Sequence, residues 1–475
     1  MPSAVVVGSG PNGLAGALTL ARAGYAVDVR EAAPAHGGGV RTEELTLPGF
    51  RHDVCSAIHP LGRASPFFQF AGLGLDWVSP PVAVAHPLDD GTAVLLECDL
   101  RAVDLRADTE AYRRLVEPLV GAWKAVEPLV LGPFPPPLPA LRALLRLAPA
   151  ARTALGDARS VAGSAFETKA ARALFAGFAG HSMLPLERRP SAGFAIALAV
   201  LAHVDGWGFP RGGAQAIADG LVRELGRAGG EVHTDSPVDG LPSTDVVLAD
   251  VVPAELRRIA RLPERFDRAL GRYRHGPGAF KLDWALDGPI PWRAPECARA
   301  ATVHLGGTFD EIAASEWGAW RGRPVERPFL ILAQHTLFDP SRAPEGKHTA
   351  WAYCHVPNGW AGDMTKAVEA QVERFAPGFR ELVLARHVRT PADFEARNRN
   401  LVGGDISGGT LDLGQAWTRP VRALNPYRTP LRGVYLCSAA TPPGGGVHGM
   451  CGYSAALTAL RDGSRRARGP GSRIR

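Results

Sequence analysis

Long apolar runs, paired cysteines and a one-sided excess of charge are all missing from this 475-residue chain. A membrane-crossing helix needs about 20 consecutive apolar residues. The nearest approach, Ala192 to Val204, is shorter and contains His203, so it is expected to be a buried helix. The first apolar run begins at Ala4, so no secretory signal is expected ahead of it and a cytoplasmic location is. The six cysteines (Cys55, Cys98, Cys297, Cys354, Cys437, Cys451) form no Cys-x-x-Cys pair and no Cys/His metal spacing. That excludes a disulfide scaffold, a zinc site and a dithiol redox centre, so no bound metal is expected. Charged residues are 21% and hydrophobic residues 46%, far from the composition of a disordered chain. The net charge of +6 comes from scattered arginines, densest after Arg461, and offers no continuous basic face to a nucleic acid.

What is present begins with a β-α-β pattern. Ala4 to Val7 is a short apolar run, Leu14 to Ala23 has apolar residues at helical spacing, and Ala26 to Glu31 reads as a second strand. Strand-like patterning follows from Pro80 to Glu97. Glu110 to Leu155 is helical with a break at 133–137, and Arg172 to Leu201 is further helix. A turn over Gly206 to Gly213 opens a helix from Ala214 to Ala228, and Glu231 to Val238 reads as a strand. Phe280 to Leu286 and Pro328 to His355 have the alternation of a second sheet. The chain closes with a strand over Gly433 to Leu436, a glycine turn over Pro442 to Gly446 and a helix over Gly452 to Leu460.

The segment Val5-Val6-Val7-Gly8-Ser9-Gly10-Pro11-Asn12-Gly13 has the strand, glycine turn and helix order that a dinucleotide pyrophosphate requires. Gly8 permits the turn, Gly10 lets backbone amides approach phosphate, and Gly13 lets the helix lie close to the strand with its N-terminus toward the anion. Glu31 ends the second strand, where a carboxylate accepts both ribose hydroxyls and repels a 2′-phosphate, which favours FAD or NAD over NADP.

Three further segments carry a resemblance. Gly37-Gly38-Gly39-Val40-Arg41-Thr42 is similar to the second flavin-binding segment of the phytoene desaturase and amine oxidase superfamily. The stretch from Gly433 through Gly444-Gly445-Gly446-Val447-His448-Gly449 resembles the closing motif of its phytoene-desaturase branch, and Pro210 to Val238 resembles the return to the adenine side. The chain is most similar to the phytoene dehydrogenase-like group that includes the pyridine nucleotide-disulfide oxidoreductase domain protein 2 type. The resemblance implies an α/β fold: a Rossmann-like FAD-binding domain from discontinuous segments (1–75, 205–255, 400–463), an α+β substrate domain with a helical cap (76–204, 256–399) and a flexible tail (464–475). It implies non-covalent FAD held by Gly8, Gly10, Pro11, Asn12, Gly13, Glu31, Gly38, Gly39, Arg41, Thr42, Val238, Gly445, Gly446 and Val447. Apart from the glycines of the closing motif itself (Gly444, Gly446, Gly449), no second Gly-x-Gly-x-x-Gly unit is evident for a separate nicotinamide domain, so the organic substrate is expected to supply the hydride.

Three residues are candidates for the chemistry. The related amine oxidases place a lysine on a strand of the second domain, bridged by water to flavin N5, and Lys281 occupies such a strand. Its bland alternative is pairing with Asp283. His59 and His448 lie beside segments that wrap the flavin, where a histidine moves protons near neutral pH or simply shapes the ring's surroundings. His181 is expected to be structural within the cap, and Trp207, Phe209 and Trp284 are a candidate apolar tunnel lining. The reading is an FAD-dependent oxidoreductase that dehydrogenates or isomerises a lipophilic, isoprenoid-like small molecule, with peripheral membrane contact left open and no nucleic-acid partner. Its rivals are a flavin amine oxidase and a flavin-binding regulatory protein with little turnover.

Overall fold

The computed structural model describes residues 1–133, 135–416 and 418–467. Five short strands form a wholly parallel sheet in the order Val434–Leu436, Val246–Ala249, Ser3–Val7, Ala26–Arg30, Glu231–His233. Parallel neighbours require crossovers, and helix Pro11–Arg22 supplies the first between the strands it joins in sequence. Pro11 suits its first turn because a missing N–H costs nothing there. The helix lies very close to its strand and to helix Met450–Ala467. A Cβ on Gly13 would stand 2.2 Å from the Gly8 carbonyl oxygen, and one on Gly452 would stand 1.7 Å from that of Asn12. Only glycine permits this double contact, which brings both helix N-termini to the same end of the sheet.

Two expectations need correction here. The strand anticipated over 231–238 stops at His233, because Asp235 adopts φ +49° and the chain turns to pair its N–H with Ala33 at 3.1 Å. The final helix does not end near Leu460 but continues to Ala467, so 464–467 of the anticipated tail belong to the helix. Asp462 anchors this extension, accepting hydrogen bonds from Arg428 Nε at 2.9 Å and from the Tyr435 hydroxyl at 3.0 Å. Residues 468–475 of the anticipated tail lie outside the described residues.

The second sheet has seven strands in the order Val383–Arg389, Gly278–Leu286, His348–Val356, Leu330–Ala333, Thr302–Leu305, Val82–Pro87, Ala93–Glu97. All neighbours are antiparallel except Thr302–Leu305 with Val82–Pro87. Alternation sorts its side chains onto two faces. Val303, Leu305, Leu330, Leu332, Ala352 and Cys354 pack into one core with Val368, Val372 and Phe375 of helix Thr365–Phe375. Thr302, His304, Ile331, Ala333, Trp351, Tyr353 and His355 occupy the opposite face.

Helices Thr109–Gly121, Trp123–Val130, Leu138–Arg146, Ala148–Ala154, Ala158–Ala165, Lys169–Gly180 and Ser191–Val204 form the cap. The break expected at 133–137, of which residue 134 lies outside the described residues, separates the second and third of these. Helix Lys169–Gly180 touches the second sheet almost backbone to side chain. A Cβ on Gly177 would come within 2.4 Å of His304 Nδ1, and one on Gly180 within 2.5 Å of the Phe329 ring. Among the described residues no helix is long and apolar enough to cross a membrane.

Candidate functional site

A cavity of about 1280 Å³ starts at the glycine turn and runs past the second sheet into the cap. At its first end stand Gly8, Gly10, Pro11, Asn12, Glu31, Gly38, Gly39, Arg41 and Val238. Gly8 adopts φ +99°, a region that side chains avoid. Glu31 Oε2 accepts hydrogen bonds from the backbone N–H and hydroxyl of Ser9 at 2.9 and 2.6 Å, and Oε1 accepts from Ala33 N–H at 2.9 Å. The acid is thus held beside the turn it was expected to serve. Gly445, Gly446 and Val447 line the cavity, and its wall between the two ends includes His59.

Gly13, Thr42, Lys281 and His448 are not on the wall. Gly13 acts one layer back, through the close approach of helix to strand. Thr42 donates its hydroxyl to Asp53 at 2.7 Å and accepts Gln215 N–H at 3.1 Å, tying the glycine-rich segment to helix Gln215–Arg227. His448 accepts Met450 N–H on Nδ1 at 3.0 Å, while its carbonyl accepts the Ser65 hydroxyl at 2.6 Å. Burial lowers its pKa to about 4, and it braces the closing turn as a neutral ring.

Lys281 is buried, and its cross-strand partner is Tyr353, so it faces the same side as the cavity wall one strand further along. There it ion-pairs with Asp283 and donates to the Asp53 carbonyl at 3.0 Å. Burial pulls the ammonium below the usual lysine range, against the attraction of Asp283. Asp53, absent from the sequence-based candidates, holds this region together. Its carboxylate accepts Ala214 N–H at 2.8 Å and pairs with buried Arg342 at 2.6 Å. Burial alone would raise its pKa, but Arg342, His335 and the Ala214 N–H outweigh that and hold it well below the ordinary carboxylate range. Its Phe-Arg-His-Asp context carries no spacing signal that would have marked it.

Asp250 was also missed. It follows strand Val246–Ala249, lines the cavity and accepts Gly13 N–H on Oδ2 at 2.9 Å. Burial, assisted by nearby Glu31, raises its pKa to about 7 even though the Gly13 hydrogen bond opposes the shift.

The far part of the cavity is walled by Thr302, Ile331, Ala333, Trp351 and Tyr353 of the second sheet and by His181, Met183 and Trp207, then by apolar side chains of the cap. His181 caps the C-terminus of helix Lys169–Gly180, and its Nε2 lies 2.9 Å from His304 Nε2. Burial lowers the His181 pKa to about 3 and that of His59 to about 4, so both rings are neutral at physiological pH. His181 therefore belongs to the wall and not merely to the cap interior. The grouping of Trp207, Phe209 and Trp284 as one tunnel lining is not upheld. Trp207 lines the cavity, but Phe209 packs with Val78 and Ala301, and Trp284 points into the opposite core. A separate surface group of Asp28, Glu231 and His233 brings three metal-type ligands within 4.8 Å of one another, on a partly exposed edge.

A cavity that begins at a nucleotide cradle and ends among apolar helices is the working arrangement of a nucleotide-dependent oxidoreductase. Residues 6–71 match the model of the NAD(P)-binding Rossmann-like domain. The chain is 28% identical to mouse pyridine nucleotide-disulfide oxidoreductase domain-containing protein 2, over 97% of this chain and 93% of that one. It is 28% identical to the phytoene dehydrogenase of Streptomyces griseus, over 98% and 96% of the two chains. Its fold is shared with an oxidoreductase from Methanosarcina mazei (TM-score 0.65, 17% identity, 97% and 100% coverage). Cyclohexylamine oxidase from Brevibacterium oxydans is similar too (TM-score 0.60, 16% identity, 98% and 100% coverage). The homologues of this chain are thus oxidoreductases, and its cofactor is a flavin or other nucleotide.

Proposed function

We propose that this chain is an FAD-dependent dehydrogenase of small lipophilic molecules, with FAD bound non-covalently. One observation carries the reading: a single cavity joins the glycine turn and Glu31 to the apolar helices of the cap. The residues fit a dinucleotide. A Cβ on Gly8 would stand 3.1 Å from the Asp250 carbonyl oxygen, one on Gly10 2.8 Å from Asp250 Oδ2 and one on Gly38 3.0 Å from Gly10 Cα, so only glycines let the two turns and Asp250 pack closely enough to present their backbone to a ligand. Gly10, Pro11 and Asn12 would face the pyrophosphate at a helix N-terminus, Glu31 the ribose, and Arg41, Val238 and Gly445 to Val447 the remainder. When bound, FAD supplies a hydride acceptor.

The chain's own residues orient the substrate and exclude water. Cap side chains Leu119, Trp123, Val126, Phe194 and Leu198 enclose its hydrocarbon part. His59 stands on this wall as a neutral ring, its pKa lowered to about 4 by burial, and shapes the surroundings of the site rather than serving as a base.

The amine-oxidase alternative needs an aromatic cage around a neutral amine, for which Trp351 and Tyr353 are the stacked pair on the wall. Glu31, Asp250 and Glu255 are the acids on the wall, and all three lie at the nucleotide end. Peripheral contact with a lipid surface suits the cap. Leu138, Leu141 and Leu145 are 70%, 40% and 79% exposed on one stripe of helix Leu138–Arg146, flanked by exposed Arg142 and Arg146. An absorption spectrum of the purified protein, followed by anaerobic titration with polyisoprenoid and amine panels, tests the reading. Flavin bands that bleach with an isoprenoid support it. A colourless protein that cannot be reconstituted with FAD overturns it.

A further inference from the structure

Helix Pro11–Arg22 has few backbone donors to offer an anion at its N-terminus. Pro11 has no N–H, and the Leu14 N–H is bonded to the Gly10 carbonyl at 2.9 Å. That leaves the amides of Gly10, Asn12 and Gly13, and the last is taken by Asp250 Oδ2 at 2.9 Å. A side chain of the protein therefore occupies part of the place where a pyrophosphate is to be held. It is packed in tightly: a Cβ on Gly10 would stand 2.8 Å from Asp250 Oδ2, and one on Gly13 3.0 Å from it.

Asp250 nevertheless lines the cavity and keeps 7% of its surface. The groups around it do not favour a second negative charge. Glu31, at the end of the second strand, opposes its ionisation. Cys437, after strand Val434–Leu436, and Cys451, in the final helix, have thiols that burial raises, the latter to about 12, so neither ionises near neutral pH. Asn400 meets only the Asp250 backbone carbonyl. Arg258 and Arg399, at the same end of the cavity, are paired with Glu255 at 2.9 and 3.8 Å, and among the described residues no cation pairs with Asp250. An ionised Asp250 would thus repel a pyrophosphate with nothing to offset the repulsion, whereas a protonated one can donate to it. Because Oδ2 is committed as an acceptor, the proton belongs on Oδ1.

Resting on the reading of the cradle as an FAD site, we propose that Asp250 meets the cofactor pyrophosphate as a neutral carboxylic acid, donating Oδ1–H to a phosphate oxygen, so that each FAD bound above neutral pH takes up one proton from solvent. Linkage fixes the direction of the effect. Burial holds the Asp250 pKa at about 7 before the cofactor's negative charge raises it further. Below that value the acid is already protonated and affinity does not depend on pH. Above it the proton must be recovered, and the FAD dissociation constant rises by up to about tenfold per pH unit.

The test is titration of the cofactor-stripped full chain with FAD from pH 6 to pH 8.5, followed by flavin fluorescence. The dissociation constant is expected to rise at least tenfold over that range. Calorimetry at pH 8 in two buffers of different ionisation enthalpy should report uptake of about one proton per FAD. In Asp250→Asn, whose amide can accept the Gly13 N–H and donate to phosphate at every pH, both effects should vanish. A parent affinity independent of pH with no proton uptake overturns the inference, and so does an Asp250→Asn variant that keeps the parent's dependence. Either outcome leaves the FAD reading standing, and the parent's own titration decides even if the variant does not fold. If FAD binds at no pH, the FAD reading fails and the inference with it.

Discussion

The carboxylate of Asp250 accepts the backbone N–H of Gly13 at 2.9 Å, placing an acid at the helix N-terminus that faces the dinucleotide cradle. Around it stand Glu31, whose charge raises its pKa further, and the thiols of Cys437 and Cys451, while its own carbonyl accepts Asn400 Nδ2 at 2.9 Å. With a pKa of about 7 against an ordinary carboxyl value of 3.8, the folded chain keeps a proton that the unfolded chain has lost between those limits. Stability therefore falls as pH rises through that window and levels off above it, by on the order of 4 kcal/mol. Asp250→Asn should abolish the slope in urea denaturation between pH 5 and pH 7.5. An unchanged slope would show that another group is responsible.

Gly13→Ala should release the cofactor. The added Cβ meets the Gly8 carbonyl oxygen at 2.2 Å, a backbone atom that cannot step aside, so the helix must move off the strand. The flavin dissociation constant should rise at least tenfold, with a stability loss of about 1–3 kcal/mol. Fluorescence titration with FAD measures the first effect and thermal unfolding the second.

Lys281 and Asp283 are buried together, so removing the cation alone leaves an uncompensated carboxylate. Lys281→Met should cost about 3–5 kcal/mol, and adding Asp283→Asn should restore much of it. The double variant also isolates chemistry from folding. Because Lys281 is held off the cavity wall, its reduced flavin should react with oxygen at a rate within about twofold of the parent. A rate many times slower would give Lys281 a direct part in reoxidation.

Replacing Leu138, Leu141 and Leu145 together with serine should leave folding intact, since their exposed side chains contribute little to the core. Co-sedimentation with vesicles containing anionic lipid should drop several-fold. Equal sedimentation of both proteins would remove the cap helix from any role at a lipid surface.

The local signals were legible because each needs only a few neighbouring residues. The turn from Gly8 to Gly13 declares its backbone conformation, and the acid at Glu31 follows from the length of one β-α-β unit. Alternation marks a strand over Phe280 to Leu286 but cannot reveal its neighbours, and Trp284, expected beside Trp207, points into the core on the far side of the sheet from the cavity that Trp207 lines. The helix extension to Ala467 was hidden for a similar reason. Its anchors, Arg428 and Tyr435, are remote in sequence from the Asp462 they hold.

The sequence by itself determined the nucleotide cradle, the alternating strands and the apolar character of the cap, since these arise from backbone freedom and periodicity along short stretches. Tertiary structure alone decided what the cradle faces. Gly13 meets Asp250 across 237 residues, and His181 meets His304 across 123. One row across the second sheet brings together Thr302, Ala333 and Trp351 from three strands. Such groupings depend on sheet register and on how closely helices can approach, and a register shift of one residue would turn every one of those side chains to the other face.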